Sequence, residues 1–239
     1  MTTSVQNRQD APRTRNAQAG PPLGPLALAF TGLFTAGLVF QSVLGDGTPY
    51  PEPFAATAAE VAGYFAANSS AVQTQGFFMF ASSMPLMIFS ATAMARLHRL
   101  GVRAPGANIA LAGGLIAAAM QIVCAAVVWT MSHEAVAAAE GTVQALHLLG
   151  FALGGVGIVA PMGLLIAGLA VPSLLARLTP RPVAWIGLAL ALLCELSLLS
   201  LLVEELSVLL PIGRFLGMAW LVVVGFTLPK NRAPKNARK

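Results

Sequence analysis

Glu195 and Arg214 are the residues of this chain whose surroundings most demand a chemical account, because each stands inside an otherwise apolar run. An unpaired Glu or Arg at the centre of a bilayer costs about 2.5–3.5 kcal/mol on insertion scales. Pairing is the simplest relief. Glu195 lies eight residues before Val203, and Arg214 lies five residues into the next run. At about 1.5 Å per residue both sit roughly 8–12 Å below the same surface. A salt bridge between them is therefore expected, with a protonated Glu195 as the alternative. Further polar groups fall in the same half of the apolar runs: Gln41, Gln75, Ser82, Ser83, Gln121, Gln144 and His147. They either line a wet pocket together with the ionisable pair, or each hydrogen-bonds a neighbouring helix, worth about 0.6 kcal/mol on average. His147 alone also reads as a side chain that only marks the membrane surface. Glu195, Arg214, His147, Gln121 and Ser82 are accordingly the candidates for ligand binding or ion pairing.

The elements that position them follow from composition. Of 239 residues, 56% are apolar and only 10% charged, against about 25% charged in soluble domains. Mean hydropathy is +0.75. Six apolar runs, about 25–44, 76–94, 109–131, 146–170, 183–203 and 209–228, each reach the roughly 17–25 residues that cross a bilayer as a helix. The first is too long for a signal-peptide core of about 7–15 residues. Every Lys and Arg except Arg214 lies before the first run or after the second, fourth and sixth, while Asp46, Glu52, Glu60, Glu134, Glu140, Glu204 and Glu205 lie opposite. Basic residues collect on the cytoplasmic side. The expectation is an all-α integral membrane bundle of six spans in the cell (inner) membrane, with both termini cytoplasmic. Residues 1–22 read as a disordered cytoplasmic arm, 23–229 as the transmembrane domain, and 230–239 as a basic tail. The net charge of +5 comes in short clusters set by topology, not as one face for nucleic acid.

The longest outer segment, about 45–75, opens with Pro49-Tyr50-Pro51-Glu52-Pro53, which is stiff and extended. Thr57 and Glu60 have capping-box spacing, and Val61, Tyr64 and Phe65 share a face, so an amphipathic helix is expected over 57–68. It is read as floating on the membrane interface in preference to acting as a lid. In the fourth run Gly150-x-x-x-Gly154, Gly155, Gly157 and Pro161 allow close packing or a kink that frees the Gly157 carbonyl. Pro211 and Gly213-x-x-x-Gly217 repeat the pattern in the sixth.

Several chemistries lack their residues. No Lys lies inside a run, so a retinal Schiff base cannot form, and no phosphate loop is present. His133-Glu134 begins a zinc-protease motif, but position 137 is Ala. No ligand spacing supports a metal, and no cofactor is expected. Cys124 and Cys194 read as small buried side chains. Asn68-Ser69-Ser70 is a weak glycosylation match.

The stretch Leu210-Pro-Ile-Gly-Arg-Phe-Leu-Gly-Met-Ala-Trp220, continuing to Gly225-Phe-Thr-Leu-Pro229, and the segment from His147 through the glycines to Pro161 resemble the bacterial membrane family catalogued as domain of unknown function 4386. The likeness covers about residues 23–230, with L-P-x-G-R-F around Arg214 its most specific part. It implies a six-span bacterial membrane protein and carries no activity. The residues themselves favour a non-enzymatic binder of a small or lipidic ligand, as a carrier or sensor component, with the lipid bilayer as its other partner. The alternatives are an intramembrane enzyme acting on a lipid or isoprenoid, with Glu195 or His147 as acid or base, and a structural accessory subunit.

Overall fold

The structure, a computed structural model, describes residues 20–231. The expected arm up to residue 19 and the tail from residue 232 lie outside the described residues. Among those described, the chain is helical without strands, and six helices are long and apolar enough to cross a membrane. In chain order the helices are α1 (Leu23–Leu44), α2 (Ala58–Ala67), α3 (Ser69–Arg99), α4 (Gly106–Met131), α5 (Glu134–Ala137), α6 (Glu140–Gly154), α7 (Val156–Leu175), α8 (Arg181–Leu196) and α9 (Leu209–Thr227). Two 3-10 turns, Ser197–Leu201 and Glu204–Val208, join α8 to α9. The six expected spans correspond to α1, α3, α4, α6 with α7, α8 and α9. The second is longer than expected, because Ser69–Gln75 continues the helix despite its polarity.

An even number of spans returns the chain to the end it started from. The N-terminus of α1 and the C-terminus of α9 share one end of the bundle, and α2, α5 and the 3-10 turns occupy the other, here termed the loop end. Neighbours run α1, α3, α4, α7, α8, α9 and back to α1. The α6–α7 span is the most enclosed, with 67% of its apolar window buried against 33–44% for the others. Any irregularity in it therefore reaches the bundle interior.

Lipid is as apolar as a leucine side chain, so helices associate through close packing. The tightest seam is α4 on α7. A Cβ at Gly168 would stand 2.5 Å from Ala110 N and Gly106 O, and one at Gly113 would stand 2.5 Å from Pro161 O. Gly213 and Gly217 seat α9 against Val159 and Met162 of α7. A Cβ at Gly150 would meet only the side-chain ends of Met131 and Val127, at 3.8 Å, so the packing there does not require a glycine.

At the loop end the capping box forms as its spacing predicts. The Thr57 N–H donates to Glu60 Oε2 at 2.8 Å, and the Glu60 N–H donates to Thr57 Oγ1 at 3.3 Å. Its position corrects the interfacial-float expectation. Val61, Tyr64 and Phe65 are buried, α2 packs on α6, and Tyr50, Pro53 and Phe54 of the preceding segment rest against α6. Aromatic side chains at the spacing of one helix face read alike for a membrane surface and for a protein surface, and here Phe65, at 0% exposure, found protein.

Candidate functional site

The site begins with two adjacent glycines. Gly155 takes φ −78°, ψ −98°, which interrupts the helix between α6 and α7. The Ile158 N–H, which an unbroken helix would direct to Gly154, goes to the Gly155 carbonyl at 3.3 Å. The Gly154 carbonyl is left facing the interior of the bundle, and the Arg214 Nη2 of α9 donates to it. The break thus falls at Gly154–Gly155; it is not at Pro161, through which α7 runs on.

Around this contact lies a cavity of about 300 Å³ in the loop-end half of the bundle. Phe34 of α1, Gln75 and Met79 of α3, Cys124 of α4, His147 and Gly154 of α6, and Arg214 of α9 form its walls. Tyr50 and Pro53 form its roof. The roof is an aromatic assembly: the Tyr50 ring lies 5.3 Å from His147, 5.4 Å from Tyr64 and 5.9 Å from Phe65. It is latched to α1 by Gln41 Nε2, which donates to the Tyr64 hydroxyl at 2.7 Å. Burial pushes the Tyr64 phenol above its ordinary pKa, so it stays protonated and keeps a proton to donate.

Among the described residues, two buried polar atoms at this cavity make no hydrogen bond, Gln75 Oε1 and Arg214 Nε, while the His147 ring stands beside the Pro51 backbone carbonyl. His147 is 2% exposed. The Arg214 guanidinium also lies 5.5 Å from the Phe34 ring centre, a cation–π contact. Among the described residues, no Asp or Glu lines the cavity. A buried polar atom without a partner costs about 1–3 kcal/mol, a cost that a polar group entering the cavity would relieve.

The candidates divide as follows. Arg214 and His147 meet at the cavity. Gln121 and Ser82 sit beside it in the α3–α4 seam: Gln121 Nε2 donates to Ser82 Oγ and, at 2.9 Å, to the Met79 carbonyl. Their bonds cross-link two helices, which is a packing role. Glu195 is elsewhere. Its Oε1 lies against Gly163 of α7, 3.0 Å from where a Cβ there would be, and makes no hydrogen bond.

The expected Glu195–Arg214 salt bridge is therefore not formed, and helix geometry gives the reason. Cys194 faces Gly213 across the α8–α9 contact, so the next residues, Glu195 and Arg214, start at nearly one level. Side chains lean toward the N-terminus of their own helix. In antiparallel α8 and α9 those termini lie at opposite ends, so Arg214 reaches toward the loop end and Glu195 away from it. Gly154 and Gly163 stand nine residues apart, about 13 Å along α6–α7.

Nothing in the sequence singles out Phe34 or Tyr50, which look like any lipid-facing or loop aromatic. Pro49-Tyr50-Pro51 carried the one available signal, a side chain held on stiff backbone. Cys124, read as inert filling, lines the cavity, with its thiol directed at the Gly150 carbonyl at 3.4 Å. His133 stays outside, its ring 4.3 Å from Trp129. In comparisons with known proteins the chain matches no family model, no curated protein and no solved structure.

Proposed function

We propose that this chain is a six-span bacterial inner-membrane protein, with both termini cytoplasmic, of the kind catalogued as domain of unknown function 4386. We further propose that it binds a small or lipidic anion in the loop-end cavity without transforming it. The observation that carries this reading is the Arg214 guanidinium, half-buried in the cavity, with its Nε unpartnered and no carboxylate in the walls. A guanidinium offers five donors in a planar fork that suits carboxylate and phosphate oxygens. His147 and Gln75 supply further polar contacts, and Tyr50 covers part of the mouth above them. An intramembrane enzyme needs two chemically matched groups at one place. Of the two acid–base candidates, His147 lines the cavity and Glu195 does not, so the cavity holds one such group instead of two, which favours binding over catalysis.

Native mass spectrometry of gently solubilised wild type and Arg214→Gln, matched for folded fraction, tests the reading. A defined bound mass in the wild type that disappears from the variant is the expected result. A mass retained by Arg214→Gln contradicts it. Orientation is tested by a reagent confined to the cytoplasm, which should label a cysteine replacing Arg99 but not one replacing Glu140.

A further inference from the structure

A second hollow, of about 310 Å³, adjoins the cavity on the membrane side, between α6 and the 3-10 turns that lead to α9. Phe54, Leu148, Phe151, Leu201 and Leu202 line it, together with Glu204. Leu201 and Leu202 are 59% and 83% exposed, so the hollow opens to an apolar outer surface of the bundle. Phe151 belongs to both spaces, and its ring meets Phe54 edge-on at 5.0 Å. Phe54 follows Pro53 of the cavity roof. The Phe151 ring thus stands between the two spaces, with Phe54 against it on the side of the hollow.

Charge fixes which space takes which part of a ligand. The cavity holds a cation and no carboxylate; the hollow holds leucines, phenylalanines and a glutamate that repels anions. At about 300 Å³ the cavity lies at the bottom of the range for sites that enclose a whole small molecule. It has room for a headgroup, while a chain needs another exit. An alkyl chain in the hollow stays among apolar groups, as in the bilayer, and incurs little transfer cost.

We propose that the ligand is an anionic amphiphile whose charged head rests against Arg214 while its alkyl chain leaves past Phe151 and Phe54 into the leaflet on the loop side. The inference rests on the anion-binding reading above and adds the ligand class and the route. The head is a carboxylate or a phosphate, both of which match the guanidinium fork.

The test uses the full chain in phosphatidylcholine nanodiscs with two probes carrying a diazirine at the chain end, one derived from dodecanoate and one from dodecyl phosphate. After irradiation, labelled peptides are mapped by mass spectrometry. Labelling by at least one probe concentrates on 148–152 and 198–204 and falls at least about tenfold in Arg214→Gln, the loss of a charge-assisted hydrogen bond. The probe that labels names the head. Leu148→Trp fills the hollow and abolishes that labelling, while ligand-observed NMR still detects butyrate or inorganic phosphate bound in an Arg214-dependent way. Labelling spread evenly over the lipid-facing helices, with Arg214-dependent binding of the chainless anions intact, overturns the route and leaves the anion site standing. Absence of Arg214-dependent binding for every probe overturns both.

Discussion

The divergence of Glu195 and Arg214 gives the sharpest energetic prediction. Replacing Arg214 with Gln removes its bond to the Gly154 carbonyl, a charge-assisted interaction worth about 1.5–3 kcal/mol. It also removes an unpartnered Nε from the interior, which offsets part of the loss. The net destabilisation should be no more than about 2 kcal/mol. Glu195→Gln keeps the side-chain shape and removes a carboxylate whose Oε1 has no partner. It should change stability by about 1 kcal/mol or less. The two sites engage different stretches of α6–α7, so their effects should add within about 0.5 kcal/mol. A buried salt bridge would behave differently: each single substitution would strand a charge at a cost of about 3–5 kcal/mol, and the double variant would recover much of it. Reversible unfolding by detergent in mixed micelles at neutral pH, applied to the wild type, both single variants and the double variant, measures the coupling. A coupling energy above about 1 kcal/mol, beyond what independent sites show, refutes the reasoning from side-chain direction.

Four further outcomes follow from the packing, the roof and the cap of α2. Gly168→Val pushes side-chain atoms into the α4 backbone, where even a Cβ has only 2.5 Å, and should destabilise by at least about 1–3 kcal/mol. Gly32→Ala, with nothing within 4 Å, should be neutral or mildly stabilising in the same unfolding assay. Tyr50→Ala removes the ring above the cavity and should speed modification of Cys124 by a small methanethiosulfonate, while Cys194, packed against Gly213, reacts as before. The fourth concerns pH: hydrogen bonds from the Thr57 N–H and hydroxyl hold the Glu60 carboxyl below the usual carboxylate range. A depressed folded-state pKa stabilises fully above the unfolded value of about 4.3 and is lost as pH falls through the lower folded value. Hydrogen-exchange protection over 57–68, taken relative to the intrinsic rate at each pH, should therefore fall in acid for the wild type and much less for Glu60→Gln, whose amide keeps the cap without titrating.

The spans were legible in the sequence because insertion into lipid is decided by local apolar length, a property of contiguous residues. The Thr57–Glu60 cap was legible for the same reason. Which polar groups converge was not. Glu195 and Arg214 sit at matching depth, and only the opposite lean of side chains on antiparallel helices separates them. Gln121 and Ser82 look like pocket residues until they are seen bonded to each other across α3 and α4. Gly154–Gly155 read as packing residues. Their function as a helix break depends on what receives the freed carbonyl, and that is Arg214, sixty residues away. Gly113 and Gly168 passed unnoticed because neither belongs to a G-x-x-x-G pattern, although the backbones come closest there.

The central claim is that Arg214 faces a site for a ligand's anionic oxygens and is not a partner for Glu195. An experimental map of the full chain in lipid nanodiscs, at a resolution that shows side chains, tests it directly. The account predicts density that is neither protein nor water within about 3 Å of Arg214 Nε, beneath Tyr50, with Glu195 turned toward Gly163. Glu195 and Arg214 within about 4 Å of each other, or side chains filling the space between Phe34, His147 and Gly154, would contradict it.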